Sequence, residues 1–84
     1  MKIEVEMKVV YKRDTHPVKA VAVVILDDSF AIHNVKVVDK GSGPFLSMPS
    51  LRGRDGKWRN ACHPLNSAFR KELQEKVLEA YWAE

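Results

Sequence analysis

Apolar and polar side chains alternate from Lys2 to Tyr11, with the apolar Val10 as the one exception. Ile3, Val5, Met7, Val9 and Tyr11 fall on one face, and Lys2, Glu4, Glu6 and Lys8 on the other. A period of two is that of a half-buried strand. Lys12-Arg13-Asp14-Thr15-His16-Pro17 is polar and ends in a residue with no N–H for a ladder, so it predicts a connection, and with it a hairpin. Val18 to Leu26 is apolar on both faces, the pattern of a central strand buried on both sides. Asp27-Asp28-Ser29 supplies turn formers, and Phe30 to Val38 resumes β-branched usage, which predicts a second hairpin. The breaker-dense run Asp39-Lys40-Gly41-Ser42-Gly43-Pro44 precedes a short strand at Phe45 to Met48, stopped by Pro49. Ser50 to Gly56 reads as a polar, arginine-bearing loop with an Asp55-Gly56 turn, followed by a fifth strand over Lys57 to Cys62. The period then changes. After Pro64, Asn66 or Ser67 can cap a helix, and Phe69, Leu73, Val77 and Tyr81, with Ala80, form one apolar stripe to the C-terminus.

The predicted fold class is α+β: an antiparallel sheet of about five strands followed by one C-terminal amphipathic helix. A helix of about 16 residues is roughly 24 Å long, enough to cover part of one sheet face. The other face calls for a partner, and a second copy across a two-fold axis is the expected one. Length points the same way. Residues 1–84 accommodate a single domain and exclude a two-domain enzyme with separate cofactor and substrate modules. A core this small is usually completed by a disulfide, a metal or an oligomer. The single Cys62 excludes an intrachain disulfide and fits a reducing compartment, so a cytoplasmic homodimer is the expectation. The longest apolar run, Ala20 to Leu26, is far shorter than the roughly 18 residues of a membrane span, and no signal peptide or anchor is expected.

A net charge of +3 says little until its distribution is seen. Between Phe45 and Lys71 stand Arg52, Arg54, Lys57, Arg59, Arg70 and Lys71 against Asp55 alone, while the tail carries Glu72, Glu75, Glu79 and Glu84. Should loop, strand and helix start converge, six cations would line one surface. Such a surface suits phosphates, because each one neutralised releases counterions, and a helix N-terminus adds N–H groups for the same anions. A solvated basic face without a ligand is the alternative on charge alone. Alternation sets Trp58 with Asn60 and Cys62, away from Lys57, Arg59 and Ala61, so Trp58 is expected to pack on the helix rather than stack on a nucleobase. Trp82 falls partly off the helix stripe, which points to burial against a second subunit.

Other constellations carry less. Cys62 and His63 form a thiol–imidazole pair in sequence, but neighbours in an extended segment point to opposite faces, so a packing role for Cys62 and a turn role for His63 are favoured. Asp27-Asp28 reads as a solvated turn, Gly41-Ser42-Gly43 as a flexible one, and His33 as a hydrogen-bonded packing residue. Recurring Cys and His spacings of a zinc site are absent. Neither a catalytic site, a cofactor, a metal nor a small-molecule substrate is expected.

Taken together, Phe30-Ala31-Ile32-His33-Asn34-Val35-Lys36-Val37-Val38, Phe45-Leu46-Ser47-Met48-Pro49-Ser50, Asp55-Gly56-Lys57-Trp58-Arg59 and His63-Pro64-Leu65-Asn66-Ser67 with Arg70 resemble the SpoVG (stage V sporulation protein G) family of bacterial septation and sporulation regulators. The resemblance covers about half the chain in unbroken order. It implies a small dimeric α+β protein that binds DNA and RNA and regulates gene expression, with no enzymatic activity. The family's nucleic-acid contacts centre on a basic pair just after Met-Pro-Ser, which falls here on Leu51 and Arg52. Only Arg52 keeps the charge, and Gly53-Arg54 stands where the family commonly has Thr-Pro. The charge cluster and the resemblance together make Arg52, Arg54, Lys57 and Arg59, helped by Arg70 and Lys71, the expected nucleic-acid-binding residues. The alternative function is a non-enzymatic protein-interaction module of the division or sporulation machinery, without direct nucleic-acid binding, acting through the acidic helix end or Trp82.

Overall fold

Strand β1 (Ile3–Val10) pairs antiparallel with β2 (Val18–Leu26), and β2 with β3 (Phe30–Asp39), which pairs in turn with β4 (Pro44–Ser47). The computed structural model describes residues 1–12 and 15–84; of the polar connection between β1 and β2, Arg13 and Asp14 lie outside the described residues. The order β1-β2-β3-β4 is a meander, and the apolar β2 lies inside it as its composition predicts. The β2–β3 turn sets Asp27 and Asp28 at φ 51° and 54°, with Ser29 N–H donating to Leu26 C=O at 2.9 Å. Left-handed backbone suits short polar side chains better than bulky ones. Lys2 holds this turn: its N–H donates to Asp27 Oδ1 at 2.7 Å and its ammonium to Asp28 Oδ2 at 3.1 Å.

Bulges re-aim the side chains. The β1–β2 register slips between Met7 and Val9, so Lys8 is the extra residue. Strict alternation was expected to put Val9 and Tyr11 with Ile3, Val5 and Met7. Instead Val9 turns outward, 42 % exposed, and Val10 packs on the core. A second bulge sets His33 and Asn34 against Val23, with Asn34 at φ 60°. Here His33 is exposed, not the packing residue its sequence surroundings predict.

One sheet face is covered by α1 (Ser67–Trp82). Asn66 caps it with extended backbone, and its Oδ1 accepts from Phe69 N–H at 2.7 Å. Leu73 and Val77 enter a core of Ala20, Val24, Val35, Val37, Leu46 and Met48, with Phe69, Leu78 and Tyr81 at its margin. Burying side chains of this size stabilises by about 1.5–3 kcal/mol each. Gln74 Oε1 accepts from Leu46 N–H at 3.3 Å and ties the helix to β4. The opposite sheet face shows Val9, Val21, Val23, Ile25, Val38 and Phe45 beside Glu4, Glu6 and Lys36.

The predicted fifth strand does not join this sheet. β6 (Trp58–Asn60) pairs with β5 (Ser50–Arg52), inside the stretch read as a loop, and the two form a separate ribbon. Proximity in sequence explains the choice: a tight turn closes the β5–β6 hairpin at little loop-closure cost. The α+β class stands, with four strands in the main sheet and two in the ribbon.

Candidate nucleic-acid interface

The ribbon is built around a three-residue turn. Gly56 N–H donates to Gly53 C=O at 3.0 Å and Gly53 N–H to Lys57 C=O at 2.8 Å, while Gly56 takes φ 80°. This is a type I turn closed by a left-handed residue, and glycine meets that requirement without a Cβ penalty. Lys57 N–H also donates to Asp55 Oδ1 at 3.0 Å. At the far end Ala61 N–H donates to Pro49 C=O at 2.7 Å. Bonded pairs alternate along an antiparallel ladder, so Gly53–Lys57 and Pro49–Ala61 make Leu51–Arg59 bonded and leave Arg52–Trp58 a non-bonded pair, whose side chains lie closest together.

The two faces differ in charge. On one, Arg59 Nη2 meets Asp55 Oδ2 at 2.7 Å, and its Nη1 meets Oδ1 at 3.3 Å. This fork lies over Gly53, where a Cβ would fall 2.6 Å from Arg59 Nη1 and 2.9 Å from Asp55 Oδ1. The Arg59 guanidinium, with help from Lys57 N–H, holds the Asp55 carboxyl below its ordinary range. Leu51, directly opposite Arg59, is exposed. The other face carries Ser50, Arg52, Trp58 and Asn60, with no acid among them. Arg54 stands at the turn.

The six expected cations are therefore not equivalent. Arg52, Arg54 and Lys57 are exposed and make no ion pair among the described residues. Arg59 is engaged by Asp55. Arg70 and Lys71 are exposed on the second turn of α1, but β5 and β6 touch only each other among the strands and the helix. The ribbon strands and α1 thus carry these cations on separate elements that make no backbone contact with each other. At the helix start the backbone dipole adds to their charge, since no acid occupies the first turn and no base the last.

Trp58 corrects the sequence reading. It is 67 % exposed and does not pack on α1, because the local pairing with β5 holds the ribbon away from the helix. The turn itself held the signal: an Asp-Gly turn flanked by Gly53 and Lys57 fixes Arg52 opposite Trp58 once the register is counted. Cys62 is half-buried against the core and, with His63, lines a pocket of about 120 Å³ shared with Leu26, Ile32, Met48, Phe69 and Leu73. Cys62 and His63 share no hydrogen bond, and among the described residues no three potential metal ligands gather. No helix of the described residues is long and apolar enough to cross a membrane.

Comparison with known proteins gives a consistent picture. The SpoVG family model matches residues 1–83. The chain is 46 % identical over 63 residues to "Putative septation protein SpoVG" of Macrococcus caseolyticus, covering 75 % of this chain and 55 % of that protein. It is 42 % identical over 66 residues to the protein of the same name from Agathobacter rectalis, covering 79 % of this chain and 76 % of that one. For Geobacillus thermodenitrificans the figures are 44 % over 63 residues, 75 % and 66 %. The chain thus spans between about half and three quarters of the length of these relatives.

Proposed function

The chain belongs to the SpoVG family, and on that premise we propose that it is a regulatory protein without enzymatic activity that binds nucleic acid, DNA and/or RNA, in the control of septation and sporulation. The observation that carries this reading is the ribbon: three cations without acid partners among the described residues, Arg52, Arg54 and Lys57, on a short hairpin whose strands contact neither the sheet nor the helix. Solvated cations on a projecting element reach a polyanion without breaking internal ion pairs, and phosphate contacts of this kind position a protein on nucleic acid. Arg59 contributes once a phosphate competes with Asp55. Arg70 and Lys71 add a second positive area at the start of α1, where backbone N–H groups favour the same anions.

Regulation is by occupancy, and a homodimer would present two ribbons to one strand, raising the effective concentration of the second. The apolar outer face of the sheet, with Val9 and Phe45 exposed, supports association between copies. Sedimentation should show a dimer at micromolar concentration that is lost when Phe45 is changed to Glu; a monomer throughout would remove this part.

Binding is tested with labelled oligonucleotides by fluorescence anisotropy. Affinity should fall roughly ten-fold or more between about 50 and 200 mM salt, and the variant Arg52→Ala/Arg54→Ala/Lys57→Ala should lose both affinity and most of the salt slope. Undetectable binding at low salt, or an unchanged slope in the variant, would defeat the proposal. A second reading, a protein-interaction module, draws on Trp82, which is exposed at the end of α1 with its ring 5.0 Å from that of Tyr81. Activity surviving the triple variant but lost in Trp82→Ala would favour it.

A further inference from the structure

From the non-bonded pair on the acid-free face of the ribbon we infer that the nucleic acid bound there is single-stranded, with an unpaired base stacked on the indole of Trp58 and its phosphate held by Arg52. The inference rests on the nucleic-acid reading above and specifies the ligand of that same ribbon. Three observations carry it. The indole is exposed and has no aromatic or cationic partner among the described residues. Its cross-strand neighbour is Arg52, so a cation and an aromatic plane stand side by side at the closest spacing the ladder allows. The Arg52 guanidinium is drawn toward the turn, where Nη2 lies 3.7 Å from the position of a Cβ on Gly56. The guanidinium makes no cation–π contact with the indole among the described residues, so it is available to a phosphate beside the ring.

A duplex cannot use this arrangement without unstacking, because its base faces are already covered and its grooves offer only edges. An unpaired base can, and every base has a π-face, so the contact tolerates sequence. Ser50 and Asn60 on the same face add hydrogen-bonding groups beside the stacked ring. The opposite ribbon face, where Arg59 is bound to Asp55, offers no such surface.

The chain contains two tryptophans, so Trp82→Phe leaves Trp58 as the only indole reporter. This protein is titrated with oligo-dT, oligo-rU and a mixed-sequence duplex, each of about twelve units. The expected result is quenching of Trp58 emission by both single strands and not by the duplex. Trp58→Ala should weaken single-strand binding about ten-fold or more, with Trp58→Phe retaining most of it and duplex affinity unmoved. Circular dichroism of each variant checks that the fold persists. Single-strand binding that is lost in Arg54→Ala/Lys57→Ala yet indifferent to Trp58→Ala would overturn the stacking inference and leave the function standing. Equal quenching by the duplex would also overturn it. Binding to none of the three probes would sink both.

Discussion

Gly53 shows how one missing side chain organises the ribbon. The Arg59–Asp55 fork occupies the space where its Cβ would be, so any other residue pushes the guanidinium aside. In Gly53→Ala the Asp55 carboxyl should titrate closer to its ordinary value, because Arg59, the larger cause of its depression, is displaced. The sign follows directly. A carboxyl whose folded value is lowered contributes to ribbon stability above its unfolded value, near 3.9, and that contribution is lost as pH falls through the lowered one. Carboxyl-carbon NMR titration of Asp55 reads the shift; an identical midpoint in wild type and Gly53→Ala would show that the fork does not set it. Glycine in a polar stretch reads as flexibility in the sequence, since the atoms that exclude a side chain come from residues two and six positions on. By contrast Asn66 was legible as a cap, because a cap is a local interaction.

At the scale of elements, α1 was readable almost to the residue from the four-residue spacing of Phe69, Leu73, Val77 and Tyr81. Leu73 is 1 % exposed and at the centre of the core, so Leu73→Ala should cost about 2–5 kcal/mol, the range for a large-to-small change in a packed interior. Thermal unfolding measures it, with each kcal/mol lowering the midpoint by about 4–8 °C in a domain of this size. A loss below about 1 kcal/mol would mean that the helix is not the lid of this core. The three long strands were equally legible, but their bulges were not. Lys8 and Asn34 shift the register by one residue each, and which residue is skipped depends on the twist that the neighbouring strand imposes. That is why Val9 faces outward against its own alternation. The ribbon escaped for a related reason: Ser50–Arg52 is too short and too exposed to show a period, and only its partner makes it a strand.

For the molecule as a whole, the charge excess between Phe45 and Lys71 was plain in the sequence, but its division was not. Folding places Arg52, Arg54, Lys57 and Arg59 on the ribbon and Arg70 and Lys71 at the start of α1, and pairs Arg59 with Asp55. It leaves Arg52, Arg54 and Lys57 with Trp58 on the one element that the core does not need. Binding can therefore be altered there without unfolding the sheet, and the sheet can be altered without touching the ribbon. The most direct measurement is amide chemical-shift mapping with a short single-stranded oligonucleotide. The expected perturbations concentrate on residues 50–60, with smaller ones at the start of α1. Perturbations confined to the outer sheet face or to the last turn of α1, with the ribbon resonances unmoved, would contradict the assignment of the nucleic-acid site.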